Sequence, residues 1–258
     1  MITIVTPAFN ARNYIELQYE RLRPILSESI KWLIIDDCSK DDTFESVNKF
    51  NSSFIRYHRL SKNSGPSAAR HKGSVLAKTD YLFFLDADDV LFNSAFLEFY
   101  DFIMRNKNMD YFYAPGYMSK NVPKSESTDY KLISKCVYIK NPVDFIRYGM
   151  PNYSSLAVKK EFFQRYIKKN DLPWGEDIVS YLQMSKCGNG IKWIKPVSCY
   201  VIAGGGRGSS VSIVKRFKLF NNLITESFEP ARVIGSLCFT FYLITRYSFS
   251  YLYKKLRG

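Results

Sequence analysis

Apolar runs and helix-like segments alternate through the first 110 residues of the chain. The runs "ITIVTPAF", "KWLIIDD", "FIRYHRL" and "DYLFFLD" have the length and composition of strands, and the first three are each followed by a helix-like segment. The fourth run is uninterrupted, which indicates a central strand covered on both faces. This repetition of strand, helix and strand predicts an α/β fold with a mostly parallel sheet flanked by helices.

Local signals predict where three of the helices begin. The segment "DDTFESVNKF" starts with acids, so we expect Asp41 or Asp42 to cap a helix. In "GPSAARHKGSVLAKT", Pro66 suits the first turn because a helix leaves that N–H unpaired anyway. The segment "WGEDIVSYLQMSKCG" predicts a loop that opens a helix, with Glu176 and Asp177 in the first turn, where acids suit the helix dipole.

Polar groups follow three of the predicted strands directly. They are the motifs "TPAFN", "DDCSKDD" and "DADD", the last at residues 86–89. Parallel α/β sheets bind ligands outside the carboxyl ends of their strands. We therefore expect the three motifs to lie on one edge of one sheet, where they would form a common ligand site.

The hydrophobic pattern changes after "GGGRGSSVS", which suggests a main domain at 1–212 and a helical tail at 213–258. The apolar stripe that helical spacing predicts in the tail is Ile213, Phe217, Phe220 and Ile224. The basic residues that project elsewhere are Lys215, Arg216 and Lys218. The uncharged run 233–245 is shorter than the roughly 20 residues that span a bilayer.

A basic, aromatic and amphipathic tail of this kind is typical of a segment that lies in a membrane interface. We expect it to bind the inner, cytoplasmic face of the cell membrane. The alternatives are packing on the domain's own core, pairing with a second copy in a homo-oligomer, and a true membrane span.

Composition adds charge to this picture. Lysine and arginine number 37 against 24 acids, a net charge of +13, which points to an anionic partner such as nucleic acid, a membrane surface or a phosphorylated ligand. The five cysteines are scattered and only two histidines occur, so a zinc site or disulfide framework is not expected. That cysteine usage favours a reducing cytoplasm, and "MITIVTPAFN" does not have the pattern of a signal peptide.

The carboxylates of "DADD" repel one another and need a counter-charge. A divalent cation supplies it, and oxygen ligands without cysteine or histidine select Mn²⁺ or Mg²⁺. Such ions are held by one or two carboxylates together with substrate phosphates, so the motif suggests a phosphate-bearing ligand. The alternative is that "DADD" forms only a turn and a helix cap before "VLFNSAF".

The motifs "TPAFN", "IIDDCSKDDT", "NSGPSAARHKG", "FLDADD" and "WGEDI" occur in this order along the chain. The ordered set resembles the family 2 glycosyltransferases, which are inverting nucleotide-sugar enzymes with the GT-A fold. The resemblance covers residues 1 to about 212. It implies a Rossmann-like α/β fold, a UDP-sugar donor, and Mn²⁺ or Mg²⁺ as cofactor.

The resemblance also implies roles for individual residues. Phe9 would stack on the uracil face, Asp37 would bind the base edge, and Arg207 in "GRGSSVS" would neutralise phosphate charge. The nucleotide-sugar-binding residues that it implies are Pro7, Phe9, Asn10, Asp37, Asn63, Arg70, Asp86, Ala87, Glu176 and Arg207. Simpler interpretations exist for several of them: Phe9 as core, Asp37 as a turn residue and Arg70 on a solvated helix face.

By the same resemblance, the acids divide between metal binding and catalysis. Asp88 would be the main metal ligand, Asp86 would face the ribose or the metal, and Asp89 would support them. Asp177 would be the general base, and Glu176 would position the acceptor. The simpler interpretation of Asp177 is an acid that only suits the helix dipole.

These expectations combine into a metal-assisted glycosyltransferase that acts on a lipid-linked or growing glycan. A nucleotidyltransferase is the alternative enzyme, but "TPAFNARN" lacks the glycine- and basic-rich phosphate loop expected after its first strand. A dinucleotide-dependent oxidoreductase would need GxGxxG there, and "GGGRG" follows no suitable strand. A basic module that binds nucleic acid or membrane is the non-enzymatic alternative, although no nucleic-acid motif is present.

Overall fold

A computed structural model describes residues 1–121, 123, 135–172, 174–201, 212–228 and 232–257 of the protein. The strands in chain order are β1 (Ile2–Ala8), β2 (Ile30–Asp36), β3 (Ile55–Arg59), β4 (Tyr81–Phe84), β5 (Val90–Leu91), β6 (Tyr111–Tyr113), β7 (Met118–Ser119), β8 (Val137–Ile139), β9 (Leu156–Lys159), β10 (Gly190–Lys192) and β11 (Ser198–Val201).

Helices cover both faces of the sheet and continue into the tail. In chain order they are α1 (Arg12–Leu22), α2 (Thr43–Asn48), α3 (Gly65–Leu76), α4 (Asn93–Arg105), α5 (Val143–Tyr148), α6 (Lys160–Tyr166), α7 (Glu176–Cys187), α8 (Ile213–Ser227) and α9 (Val233–Arg257), with a 3₁₀ turn at Tyr153–Ser155. At the start of α2, Asp42 occupies the cap position, but the Asp41 carboxylate is the one that accepts from the Thr43 N–H.

Among the described residues, eight strands form one sheet in the order β3-β2-β1-β4-β9-β6-β10-β8. The strands β3, β2, β1 and β4 are mutually parallel, and β6 is parallel to β10. The strand β9 runs antiparallel to both β4 and β6. The predicted mostly parallel α/β sheet is therefore confirmed, and its parallel half is the part that the first four apolar runs predicted.

The strand β4 is central, as its uninterrupted apolar run predicts. It lies between β1 and β9, and all four of its residues are buried. Tyr81 and Phe83 pack into the core on one face of the sheet, while Leu82 and Phe84 pack into the core on the other face. A strand buried on both sides has no solvent-facing position, which explains the absence of polar alternation.

Two glycines of α3 have different roles: Gly65 allows the backbone turn that begins the helix, and Gly73 lets the helix lie close against the sheet. Gly65 begins the helix at a φ of +83°, a backbone region that favours glycine, and Pro66 follows in the first turn as predicted. At Gly73, a Cβ atom would come within 2.4 Å of a Val5 methyl carbon. This close contact fixes the distance between α3 and β1.

The tail forms two helices, α8 and α9, that pack on the domain through α5 and α7. The buried apolar residues of the two helices are Leu219, Leu223, Phe239 and Leu243. Of the predicted stripe, Phe217 is 69% exposed and Ile224 is 42% exposed, so these two residues are not part of the face that packs on the domain. Arg216, predicted to project away from that stripe, is itself buried. Among the described residues, no helix combines the length and apolarity needed to cross a bilayer.

Candidate active site

The three polar motifs lie at the carboxyl ends of β1, β2 and β4, on one edge of the sheet, as predicted. The first two loops are joined at Asn10, whose N–H donates to Ser39 Oγ at 2.9 Å. The Asn10 Oδ1 atom accepts from the Lys40 N–H at 2.8 Å, and the residue has a φ of 51°. Asn10 therefore holds one loop against the next, while its predicted contact with a nucleotide stays a prediction.

Buried groups hold the "DADD" turn from three sides. Gln18 Nε2 donates to the backbone carbonyls of Asp86 at 2.7 Å and of Asp89 at 3.3 Å. Ser154 Oγ accepts from the Asp86 N–H at 3.0 Å and donates to the Asp89 carboxylate. The Val201 N–H donates to Asp89 Oδ1 at 3.3 Å. Asp89 therefore anchors the "DADD" turn to the 3₁₀ turn through Ser154 and to β11 through Val201.

The three acids of the motif occupy different environments. Asp89 is buried, Asp86 is half-buried and Asp88 is exposed. Burial, with the neighbouring charge of Asp86, raises the pKa of Asp89 to about 8. The fold thus separates the acids that the sequence crowds together, and it leaves Asp86 and Asp88 on the side open to a ligand.

Arg70 of α3 forms a buried bridge between the "DADD" turn and the first turn of α7. Its Nη2 atom lies 2.7 Å from Asp86 Oδ1, and its Nη1 atom lies 3.5 Å from Glu176 Oε1. The guanidinium carbon lies 3.8 Å from the ring centroid of Tyr153. Arg70 is only 3% exposed, so the alternative of a solvated helix face is wrong.

The charge of Arg70 is stabilised by its surroundings. Burial by itself lowers the pKa of a guanidinium, but the charges of Asp86 and Glu176 raise the pKa of Arg70 above its ordinary value. Its Nε and Nη1 atoms make no hydrogen bond to any residue within the described part of the chain.

Asp37 combines a structural contact with a place at the site. Its two carboxylate oxygens accept from the Ser64 and Gly65 N–H groups, each at 2.7 Å, and so fix the start of α3. Burial raises the pKa of Asp37 above its ordinary range despite these two hydrogen bonds. Asp37 is a turn anchor, as the simpler interpretation held, and it also lines the cavity described next.

A cavity of about 510 Å³, here called the first cavity, lies outside β1, β2 and β4. It brings together most of the predicted nucleotide-sugar residues. Those that line it are Pro7, Phe9, Asp37, Asn63, Arg70, Asp86, Ala87 and Glu176, and the predicted metal ligand Asp88 lines it as well. Phe9 is 47% exposed at this cavity, so the alternative of an ordinary core residue is wrong.

A second cavity of about 620 Å³ adjoins the first. The residues common to both are Asn63, Gly65, Pro66, Glu176 and Tyr200. Asp177 lines only the second cavity, together with Lys62, Lys169 and Trp174. The first turn of α7 therefore forms part of the boundary between the two cavities, with Glu176 facing both.

Asp177 has the protonation behaviour that a general base needs. It is half-buried in the first turn of α7, and its Oδ1 atom accepts from the Ile178 N–H at 2.9 Å. Burial and the charge of Glu176 raise the pKa of Asp177 to about 7, against the opposing charge of Arg70. A carboxylate that titrates near neutral pH can accept a proton from a hydroxyl at a useful rate.

The acids at the first cavity suit Mg²⁺ or Mn²⁺ bound together with a substrate phosphate. Within the described part of the chain, no three His, Cys, Asp or Glu side chains gather into a site that could hold a metal by themselves. Mg²⁺ and Mn²⁺ are often bound by one or two carboxylates and completed by substrate phosphates. Asp88, exposed at the cavity, and Asp86 beside it fit that arrangement rather than a closed protein cage.

The family model described as glycosyl transferase family 2 matches residues 3–169. This chain belongs to that family. The matched region contains the "TPAFN", "DDCSKDD" and "DADD" motifs and Arg70, while Glu176 and Asp177 follow just after it. Family membership argues against the nucleotidyltransferase and the non-enzymatic binding module considered above.

The relatives that this family 2 chain resembles include enzymes named for teichuronic acid biosynthesis and for glycosyl transfer to poly(ribitol-phosphate). The chain is 28% identical over 182 residues to the poly(ribitol-phosphate) beta-N-acetylglucosaminyltransferase TarP of Staphylococcus aureus, covering 66% of this chain and 51% of that protein. The chain spans about half or less of the length of the curated relatives it matches.

Solved structures show the same fold. The crystal structure of S. aureus TarS 1-349 in complex with UDP-GlcNAc superposes with a TM-score of 0.66 at 16% identity, covering 91% of this chain and 69% of that one. The mannosyltransferase PcManGT from Pyrobaculum calidifontis, in complex with GDP-Man and Mn²⁺, gives a TM-score of 0.61 at 12% identity, covering 93% and 69%. The predicted GT-A fold is therefore confirmed.

The structure also identifies site residues that sequence reasoning missed. Gln18 and Ser154 support the "DADD" turn, Tyr153 packs on Arg70, and Tyr200 lines both cavities. They come from a helix, a 3₁₀ turn and a later strand, and none lies in a motif with a recognisable spacing. Arg207 lies outside the described residues.

Proposed function

We propose that this family 2 chain is an inverting glycosyltransferase that moves a sugar from a UDP-sugar to a hydroxyl of a lipid-linked or growing glycan. The observation that carries the proposal is the buried bridge that Arg70 makes between Asp86 and Glu176. It joins a cavity with the features of a nucleotide-diphosphate site to a cavity that contains a carboxylate of near-neutral pKa. The donor and the acceptor would then meet at the boundary between the two cavities.

The donor would occupy the first cavity. Phe9, exposed at that cavity, offers an aromatic face to a base, and Asp37 offers a fixed carboxylate at the adjacent loop. The guanidinium charge of Arg70, which lines this cavity, suits the oxygens of a diphosphate. A solved relative of the same fold binds UDP-GlcNAc, which supports UDP as the nucleotide.

Departure of UDP develops negative charge on the leaving phosphate oxygen. Asp88, with Asp86 beside it, would hold Mn²⁺ or Mg²⁺, which when bound supplies positive charge at that oxygen. Arg70 adds a second positive charge that is already fixed by its buried ion pairs, so no reorganisation is needed when the bond breaks. A Mn²⁺ complex among proteins of the same fold supports a metal of this class.

The acceptor would enter the second cavity. Asp177 would take the proton of the attacking hydroxyl as the oxygen forms its bond to the anomeric carbon, and its pKa of about 7 suits that transfer. Because the base lies in one cavity and the leaving diphosphate would lie in the other, attack would come from the side opposite the leaving group. One displacement of that kind inverts the anomeric configuration.

The tail would place the enzyme on an anionic membrane surface. Each tail helix exposes apolar side chains, with Val214 at 60% and Phe217 at 69% on α8, and Ile234 at 80% and Phe241 at 70% on α9. Exposed basic residues accompany them, and the segment 213–258 carries a net charge of +6. This combination suits anionic lipid headgroups, where a lipid-linked acceptor would also be found.

The proposal is tested by incubating the full chain with UDP-glucose, UDP-galactose or UDP-GlcNAc, in Mn²⁺, in Mg²⁺ or in EDTA, and measuring UDP release. Poly(ribitol phosphate) and GlcNAc-diphosphoundecaprenol serve as acceptors, since relatives are named for acting on these compounds. We expect metal-dependent release that an acceptor accelerates and that Asp177→Asn abolishes. Absence of both release and thermal stabilisation with every UDP-sugar would contradict the proposal.

The anomeric configuration of the transferred sugar is measured separately. Proton NMR of the initial product gives the anomeric coupling constant of the transferred sugar. We expect a β product from the α-configured donors in the panel. An α product would show retention and would remove Asp177 from the role of base in a single displacement.

A further inference from the structure

The two tail helices contact α7 near both of its ends, although the sequence marks them as a separate segment. Near the end of α7, Arg232 Nη1 donates to the carbonyl oxygens of Ser185 at 2.6 Å and Gly188 at 2.7 Å. The Lys186 ammonium donates to the backbone carbonyl of Glu226 on α8 and pairs with the Glu226 carboxylate at 3.7 Å. Since α7 begins with the proposed base, the tail supports the helix that carries the chemistry.

The contact at the start of α7 reaches the second cavity directly. Gly175 precedes α7 at a φ of +80°, and Leu219 of α8 packs so closely that a Cβ atom on Gly175 would lie 2.8 Å from a Leu219 methyl carbon. Trp174, which lines the second cavity, contacts both tail helices. The Arg216 guanidinium carbon lies 5.5 Å from the Trp174 ring centroid, and the Tyr247 ring meets that ring edge-on at 5.2 Å.

Arg216 is an unexpected residue at this contact. It is only 6% exposed, and its Nη1 atom donates to the Tyr247 carbonyl at 3.1 Å, so it also ties α8 to α9. Burying a guanidinium has a desolvation cost that an apolar side chain would avoid. A leucine would therefore be the expected residue if packing of the two helices were the only requirement. An arginine instead places a fixed positive charge on the aromatic ring that lines the second cavity.

We propose that the α8–α9 hairpin completes the acceptor side of the active site, and that Arg216 is a positioning residue for acceptor binding. Arg216 and Tyr247 hold the Trp174 ring, and Leu219 holds the backbone at Gly175, so the acceptor would meet a preformed wall beside Asp177. The inference rests on the proposed function. It goes further because it assigns part of the acceptor site to the segment outside the matched family region.

The test compares Arg216→Met with the wild-type chain in detergent solution without vesicles. Methionine keeps an unbranched apolar side chain but removes the charge over the ring. We expect the KM for the acceptor that is active in the panel above to rise about tenfold. Hydrolysis of the UDP-sugar by water and thermal stabilisation by UDP with Mn²⁺ should stay within about twofold, because the first cavity is not touched.

Two further variants test whether the effect needs the charge at position 216 and whether another cation can replace the guanidinium. Lys215→Met removes a positive charge from the neighbouring exposed position of α8, and we expect it to behave as the wild type. Arg216→Lys keeps a cation near the ring, and we expect it to recover most of the acceptor affinity. A purely structural role for Arg216 would not predict this split between acceptor KM and donor hydrolysis.

The outcomes separate the present inference from the proposed function. A folded Arg216→Met protein whose acceptor KM is unchanged would overturn the inference. So would one whose donor hydrolysis falls by as large a factor as its acceptor KM rises. If Arg216→Met does not fold, Tyr247→Leu removes the second contact to Trp174 without changing any charge, and the same split is expected. A wild-type chain that neither binds nor cleaves a UDP-sugar would instead contradict the proposed function.

Discussion

Arg70 and Asp86 form an ion pair, 2.7 Å between Nη2 and Oδ1, in the lining of the first cavity. The same guanidinium lies 3.5 Å from Glu176, so one side chain of α3 joins the acids of "DADD" to those of "WGED". The two motifs are almost 90 residues apart in the chain. The proposed function depends on this bridge, because it fixes Asp86 of the first cavity relative to the first turn of α7, where the proposed base Asp177 lies.

Arg70→Met should therefore reduce both stability and activity. It leaves two acids of one site without their shared cation, and removing one partner of a buried pair costs about 2 to 4 kcal/mol of unfolding free energy. We expect UDP release to fall by at least about 100-fold through lost positioning. Arg70→Lys is the matched variant: it keeps the charge but reaches only one acid well, so stability should recover more than activity. Urea unfolding and UDP release measure the two effects, and equal recovery of both would contradict the bridging role.

Asp177→Asn should abolish transfer and make the fold more stable at high pH. The pKa of Asp177 is about 7 in the folded chain, against an ordinary value of about 4. Between those two pH values the unfolded chain loses this proton while the folded chain keeps it, so the free energy of unfolding falls as the pH rises. The loss is complete above about pH 7. We expect the gain in Tm from Asp177→Asn to be larger at pH 8 than at pH 5. A gain that is equal at both pH values would mean that this carboxyl is not perturbed by folding.

The rate should follow the ionisation of the same group. A general base acts in its deprotonated form, so kcat/KM for transfer should fall as the pH drops through about 7, tenfold per pH unit below it. The pH profile of transfer under saturating metal measures this limb. Thermal stabilisation by UDP and Mn²⁺ over the same range is the control for loss of donor binding. A flat profile down to pH 5 would exclude Asp177 as the group that limits the rate.

Asp88 and Asp89 should respond differently to replacement although they are neighbours. Asp88 is exposed at the first cavity, so Asp88→Ala should leave Tm nearly unchanged and remove the stabilisation that UDP gains from Mn²⁺. Asp89 is buried between Ser154 and Val201, so Asp89→Ala should lower the stability by about 1 to 3 kcal/mol. Thermal melts with and without UDP and Mn²⁺ distinguish the two patterns. A large loss of Tm in Asp88→Ala would contradict its assignment as a ligand-facing acid.

Exposed aromatic residues of the tail should control binding to membranes. The double variant Phe217→Ser and Phe241→Ser removes two large apolar side chains, and we expect it to lose most of its co-sedimentation with anionic vesicles. Leu97→Ser, an exposed apolar residue of α4 outside the tail, is the matched control and should sediment as the wild type. Both proteins should keep donor hydrolysis in solution. Equal sedimentation of the double variant and the control would contradict the membrane assignment, and a wild-type chain that forms dimers without binding vesicles would favour pairing between tails.

The first four apolar runs predict the parallel half of the sheet correctly because a buried strand and its neighbouring helix are both local patterns. The strand β4 illustrates this, since burial on both faces requires every one of its residues to be apolar. The second half of the sheet depends on β9, which pairs with β4 and β6 across long stretches of chain. No local pattern specifies such a pairing, and the hydrophobic pattern of residues 111 to 172 is less regular than that of the first 110.

The tail shows why helical spacing does not identify the side of a helix that packs on the domain. Both sides of α8 carry large apolar residues, so helical spacing alone cannot decide which side is buried. Leu219 and Leu223 face the domain, while Phe217 remains exposed. Arg216 lies on the buried side of α8 too, over the Trp174 ring, and a buried arginine cannot be inferred without knowing what surrounds it.

The sequence by itself determined the α/β class, the sheet edge at which the three polar motifs meet, and the ordered motifs that identify the family. These depend on periodicity along the chain and on residues that follow strand ends. Only the tertiary structure decided which role each acid has. Asp89 is a buried anchor, Asp86 is paired to Arg70, and Asp177 lines the second cavity. It also joined the tail to the second cavity. Such roles depend on burial and on partners distant in sequence, which set both the charge state and the direction of each side chain.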